Sequence, residues 1–161
     1  MTGSPVLRRY AADVDEAHPE LTRLDQLSGD GDFGDNLRGG MRRVIAELDR
    51  SGTAGHGFDV AGRVFLDEVG GTSGPLFGLL FTEIGHALDG VNGLYGVNGP
   101  GGVDGSEDVS GWAAGACAGL AAIQRVGEAQ VGDRTLVDAL APAVAALADG
   151  GPRAFSRAAT A

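Results

Sequence analysis

The chain contains no lysine: all 12 basic residues are arginine, set against 22 acidic ones for a net charge of −10. A phosphate-binding P-loop needs a lysine to reach its phosphates and Schiff-base chemistry needs an amine, so both are excluded. The acidic balance argues against nucleic acid or an anionic membrane as partner, since each calls for a positive face. There is one cysteine, Cys117, so no internal disulfide can form; in its Ala/Gly-rich run it reads as a small buried apolar residue. No run of about 18 apolar residues is present, and no membrane span is expected. Nor does an apolar run follow Arg8 and Arg9 as it would in a secretory leader. A soluble, cytoplasmic location is the expectation. At 161 residues the length suits one domain burying about two-thirds of its unfolded surface.

Glycine, by contrast, is abundant, with 29 residues. The most informative stretch is Asp25-Gln26-Leu27-Ser28-Gly29-Asp30-Gly31-Asp32-Phe33-Gly34-Asp35-Asn36, lying between two helical patterns. Asp25 falls near the end of the first helix and Asp30 and Asp32 in the turn after it, so a tight turn can fold three carboxylates toward one point. At about 4 Å and intermediate dielectric, each like-charge pair costs roughly 4 kcal/mol, less where water screens it. A cation among them would offset that cost, and oxygen-only ligands favour magnesium or calcium over zinc. An EF-hand loop is excluded by spacing. Counted from Asp30, its glycine position is Asp35 and its closing glutamate position is Met41. Gly-Asp-Gly-Asp is also ordinary turn composition, and this local pattern alone does not choose between the two.

Hydrophobic periodicity predicts helices on either side. Residues 4–27 carry Val6, Tyr10, Val14, Ala17, Leu21, Leu24 and Leu27 at helical spacing. A break is expected at His18-Pro19, because proline is tolerated only in a first turn, with His18 an exposed boundary residue. A second helix is predicted from Asn36 to Arg50, with Asp35 or Asn36 as cap and Leu37, Met41, Val44 and Leu48 inward. Its N-terminus can meet an anion; Arg38, Arg42 and Arg43 read as solvated surface. A third helix is predicted over 58–69, with Phe58, Ala61, Phe65 and Val69 inward. In Gly70-Gly71-Thr72-Ser73-Gly74-Pro75, Ser73 is a good N-cap and Pro75 suits a first helical turn. The glycines let backbone approach a ligand and the hydroxyls can donate to phosphate, or the segment is a plain capped turn.

Residues 74–89 are apolar nearly all round and predict the most buried helix, with His86 at its C-terminal end. A repeat of Gly-Val-Asn/Asp-Gly over residues 90–105 reads as a loop or turn-rich flap. Helices are predicted over 107–126, with Trp112, Ala116, Leu120 and Ile123 inward, and over 134–148. The latter is capped by Asp133, has Leu136, Leu140, Val144 and Leu147 inward, and bends at Pro142. A short, weakly helical tail follows at 149–161.

Leu24-Asp25 followed by Gly29-Asp30-Gly31-Asp32-x-Gly34-x-Asn36-Leu37 resembles the signature of the DhaL family, the nucleotide-binding subunit of dihydroxyacetone kinases. Two further blocks match in order: Gly70-Gly71-Thr72-Ser73-Gly74-Pro75-Leu76-Phe77-Gly78, and Gly132-Asp133-Arg134-Thr135-Leu136-Val137-Asp138-Ala139-Leu140 with Pro142. The resemblance spans about residues 20–148. It implies an all-α antiparallel bundle or barrel of about six helices, a single domain over 1–161 that lacks the last two helices of typical members. It further implies that Asp25, Asp30 and Asp32 hold two magnesium ions, which in turn hold the phosphates of ADP or ATP. Asn36, Gly71, Thr72, Ser73, Gly74, Asp133 and Thr135 are the matching nucleotide-binding positions. The hydroxyketone is expected on a separate substrate-binding subunit, which carries the covalent histidine in that family, and no catalytic residue is assigned in this chain.

An apolar face left by two absent helices would expose surface worth on the order of 10 kcal/mol, so a homo-oligomer or heteromer is expected. Two features depart from the family pattern: Phe33, where a polar residue, commonly His, is usual, and the glycine-rich stretch 90–105. The function implied is a magnesium-nucleotide subunit of a dihydroxyacetone-kinase-type phosphotransferase. The alternative is a degenerate relative without kinase activity, either a regulatory binding module or an enzyme reusing the barrel cavity for another small molecule.

Overall fold

In a computed structural model the described residues are 5–52, 56–95, 109–150 and 153–160, with only the backbone described for 91–95. They form seven helices and, among the described residues, no strand: α1 (Pro5–Asp25), α2 (Phe33–Ser51), α3 (Phe58–Glu68), α4 (Ser73–Tyr95), α5 (Val109–Gly127), α6 (Leu136–Ala148) and α7 (Ala154–Ala158). The all-α expectation holds, and α7 is the helical part of the tail. No helix among the described residues is long and apolar enough to cross a membrane. The chain divides into two compact units, Met1–Thr82 and Glu83–Ala161.

In the first unit α1 packs along α2, and α2 packs on α3. Its core is Leu7 and Val14 from α1, Leu37, Met41, Val44 and Leu48 from α2, and Phe58, Val60, Ala61, Val64 and Phe65 from α3. Phe81 sits among aromatic neighbours, with ring centroids 5.1 Å from Phe65 and 6.2 Å from Tyr10, both edge-on. Each buried Val, Leu, Met or Phe among them contributes about 1.5–3 kcal/mol by burial. Small residues permit the close packing: a Cβ at Gly40 would stand 2.7 Å from the Phe65 ring, and one at Gly62 would stand 2.3 Å from Thr82 Oγ1.

The structure departs from the sequence expectations at several points. Helix α1 runs unbroken through Pro19; the missing N–H costs about 3 kcal/mol, which packing of α1 along α2 outweighs. Its inward face keeps only part of the predicted stripe, Val14 buried and Tyr10 and Leu21 half-buried. Leu7 and Val14 are buried, whereas Val6, Leu24 and Leu27 are 45%, 47% and 73% exposed, and Ala17 is exposed as well. Polar His18, Thr22 and Asp25 take inward positions in its second half. Helix α2 begins at Phe33, with Asp32 as N-cap residue but no side-chain cap hydrogen bond, so Asp35 and Asn36 lie inside the first turn instead of capping it. Ser73 is likewise the first residue of α4 and not its cap, and it is buried. Among the described residues the deepest burial is in α3, since Leu76, Leu79 and Leu80 of α4 are only half-buried. Helix α4 continues to Tyr95, which makes 90–95 helical and leaves His86 mid-helix; the remainder of the repeat, 96–105, lies outside the described residues.

In the second unit α5 packs on α6, and α6 on α7. Helix α5 turns small residues inward, among them Gly111, Gly115, Ala116, Gly119 and Ala122. A Cβ at Gly115 would stand 2.6 Å from Ile84 Cα, a backbone-close approach. Cys117 falls off that stripe and is exposed, contrary to expectation. Helix α6 passes through Pro142 and buries Val137 and Val144, while Leu136, Leu140 and Leu147 are half-buried. Helix α7 is tied down by Trp112 edge-on to Phe155 at 5.8 Å. Arg157 adds donation to the carbonyls of Gly150 and Ala146.

Candidate cation and phosphate site

Helix α1 ends at Asp25, whose carbonyl accepts the N–H groups of Ser28 at 3.0 Å and Gly29 at 2.6 Å, closing the turn. The chain then reverses through Gly31, whose φ of +84° is accessible mainly to glycine. The outcome is the predicted convergence: one carboxylate oxygen from each of Asp25, Asp30 and Asp32 lies within 4.8 Å of the others. Asp25 is half-buried, and Asp30 and Asp32 are exposed. Asp25 Oδ2 accepts the Phe33 N–H at 3.1 Å, and Asp30 Oδ1 accepts the Asp32 N–H at a long 3.3 Å. Gly29 makes room for this arrangement, since a Cβ there would lie 2.7 Å from Asp25 Oδ1. An all-oxygen, open set of this kind fits a hard divalent cation that keeps several waters, as magnesium does.

The second motif block comes near the first within the same unit. Gly71, at φ +67°, lies with its Cβ position 3.6 Å from Asn36 Nδ2, and Asn36 stands one helical turn beyond Asp32. Phe33 contacts Phe77 of α4 at a centroid distance of 6.2 Å. Gly71 and Thr72 are exposed, but Ser73 is 7% exposed and Gly74 is pressed against backbone, a Cβ there meeting the Val69 carbonyl at 2.1 Å. Gly74 is therefore required by packing between the end of α3 and the start of α4.

Asp133 and Thr135 belong to the second unit, and their polar atoms have local partners. Asp133 accepts the Gln130 N–H at 2.8 Å. Thr135, not Asp133, caps α6: its hydroxyl oxygen accepts the Val137 N–H at 3.2 Å, and Asp138 accepts the N–H groups of Thr135 at 2.8 Å and Gly132 at 2.6 Å. Those backbone donors, Gly132 first, hold the Asp138 carboxyl below its ordinary range. Thr135-x-x-Asp138 has capping-box spacing, a signal present in the sequence. His18 was also missed. It is half-buried, with Nε2 2.8 Å from Asp35 Oδ1, and no local pattern announces a bond across two helices. Asp35 also accepts from Arg38 at 2.8 Å, and its carboxyl is lowered chiefly by the His18 hydrogen bond. Arg42 pairs with Asp15, and Arg43 with Glu68.

These features define an all-α domain with a convergent-carboxylate turn between two packed helices. The chain belongs to the DAK2 domain family, whose model matches residues 28–161. It is 34% identical over 148 residues to the ADP-binding subunit DhaL of PEP-dependent dihydroxyacetone kinase 2 from Listeria innocua, an alignment covering 88% of this chain and 62% of that one. It is 33% identical over 141 residues to L-erythrulose 1-kinase of Mycolicibacterium smegmatis, covering 85% of this chain and 22% of the kinase. Among solved structures, the dihydroxyacetone kinase from C. freundii in complex with AMP-PNP and Mg2+ superposes with a TM-score of 0.67 at 28% identity, covering 93% of this chain and 26% of that one. The chain thus spans about three-fifths of the Listeria subunit and about a quarter or less of the larger kinases.

Proposed function

We propose that this chain is a magnesium-nucleotide-binding domain of a dihydroxyacetone-kinase-type phosphotransferase, binding ADP or ATP and working with a separate substrate-binding subunit. The convergence of Asp25, Asp30 and Asp32 within 4.8 Å carries the reading. Those three residues would hold two magnesium ions. Bound there, the metal would neutralise phosphate charge and orient the group to be transferred. The chain's own part is to place the phosphates. First-turn N–H groups of α2 after Phe33, and of α4 before Pro75, can donate to phosphate oxygens, with the Thr72 hydroxyl, the Gly71 backbone and the Asn36 amide beside them. The exposure of Asp30 and Asp32 supports an acceptor delivered from outside the domain. Exposed Leu24 and Leu27 flank Asp25 and support a partner contact at that rim. Asp133 and Thr135 are carried as nucleotide-contacting positions on family resemblance.

A second reading has one observation in its favour. Phe33 packs toward Phe77 and offers no proton or hydrogen bond from its side chain, which suits a module that binds nucleotide without transferring phosphate. Calorimetry of ADP with and without magnesium tests both. Magnesium-dependent binding that Asp30→Ala abolishes is expected. Binding that ignores magnesium, or that Asp30→Ala leaves intact, would overturn the first reading. Binding without transfer in the presence of a dihydroxyacetone-binding kinase subunit would favour the second.

A further inference from the structure

Beside the aspartate turn, α1 and α2 meet in three successive rungs. At the far end His18 Nε2 lies 2.8 Å from Asp35 Oδ1. One turn on, Gly34 abuts Thr22, so that a Cβ would stand 2.5 Å from Thr22 Oγ1 and 3.1 Å from the His18 carbonyl oxygen. At the near end the Phe33 N–H donates to Asp25 Oδ2 at 3.1 Å. Positions 18, 22 and 25 lie along one face of α1, while 35, 34 and 33 are consecutive in the first turn of α2. The last rung thus ends on one member of the carboxylate cluster, and the residue before Phe33 is another, Asp32.

We propose that His18 is a positioning residue for the aspartate turn: by holding Asp35 it sets the register of the first turn of α2 on α1, and with it the approach of Asp32 to Asp25. This rests on the reading of those aspartates as cation ligands. The middle rung cannot do this by hydrogen bonding, since the Thr22 hydroxyl is buried and makes no hydrogen bond among the described residues; it holds by shape alone. The next cross-helix link along the seam, Arg42–Asp15, joins two exposed side chains, a kind of pair that contributes little. Here Asp35 is exposed too, but His18 is largely shielded, 18% exposed, and the same Asp35 Oδ1 also accepts from Arg38 at 2.8 Å. A first helical turn lacks its own intrahelical acceptors for N–H groups and frays easily, so a rigid ring braced on it has leverage over the residue just before it.

Manganese alone, followed by loss of its free-ion EPR signal on titration with the full chain, reads the site without nucleotide or activity. His18→Ala is expected to weaken manganese binding about tenfold, the low end of what residues behind metal ligands usually contribute, with helical circular dichroism retained. His18→Gln, whose amide nitrogen can reach the place of Nε2, is expected to restore most of the affinity. Should the alanine variant lose helicity, His18→Leu keeps bulk without the bond and is expected to show the same weakening. Wild-type affinity in His18→Ala or His18→Leu, or a glutamine variant as weak as either, would overturn the positioning role alone. A wild-type chain that binds no manganese would overturn the cation reading, and this inference with it.

Discussion

The turn between α1 and α2 and the turn leading into α6 are both built from glycine and aspartate, yet they spend their carboxylates in opposite ways. In the second, Asp138 accepts two backbone N–H groups at 2.6 and 2.8 Å and Asp133 a third at 2.8 Å, so each charge is answered by the loop's own donors. In the first, three carboxylates lie within 4.8 Å of one another, and among the described residues the only backbone donors hydrogen-bonded to them are the N–H groups of Phe33 and, at 3.3 Å, Asp32. A carboxylate satisfied by backbone stabilises a loop; carboxylates turned on each other store repulsion that a cation can relieve. Composition is shared, and hydrogen-bond partners make the difference.

The strongest way to break that contrast is to exchange its consequences. Asp30→Ala should reduce magnesium-dependent ADP binding by at least a hundredfold in calorimetry while leaving the melting temperature unchanged or raised, because one repelling charge is gone. A large fall in melting temperature would mean that the turn is held together like the loop before α6. Gly29→Ala should come next. Its Cβ would displace the flexible end of Asp25, so manganese affinity is expected to fall about tenfold with little loss of stability. Asp138→Asn should do the reverse, leaving manganese affinity at the wild-type value and lowering the melting temperature. Thr135→Ala removes the cap itself and should cost about 1 kcal/mol, a shift of roughly 2–4 °C.

Acidity separates the regions less sharply. Asp35, Glu47 and Asp138 all have folded-state carboxyls below their ordinary range, by bonds to His18, Arg50 and the Gly132 N–H respectively. Their stabilisation is fully present above the unfolded carboxylate range and is lost as pH falls below that range and through the lower folded-state values. Denaturant midpoints should therefore decline below about pH 4. At the other extreme, burial pushes Tyr10 up to about 12. Its contribution is complete below its ordinary value near 10 and disappears as pH rises toward 12, about 2–3 kcal/mol in all. Phenolate absorbance from Tyr10 should appear only in that interval or with unfolding; titration near pH 10 in the folded chain would contradict its burial.

Much of this was legible in the sequence. Apolar spacing of three and four residues sets out helices wherever it recurs, and α2, α3, α5 and α6 start or end within a few residues of where that spacing places them. The helical extension of α4 to Tyr95 was hidden because glycine weakens local preference, while the helix is kept by what precedes it. The aspartate turn was visible as a cluster of three acids on glycine, and family resemblance implied cation binding as its use.

Left to itself, then, the sequence settles an all-helical chain with acids gathered at one bend and no lysine. Only the tertiary structure decides that α1 turns His18, Thr22 and Asp25 inward in place of Ala17, Leu24 and Leu27, that Pro19 is absorbed, and that Asp133 and Asp138 serve their own loop. Helical periodicity specifies that a stripe exists along each helix, not which neighbouring stripe will pack. That choice is made by how closely two backbones approach, here where Gly34 has no side chain to hold α2 away from Thr22.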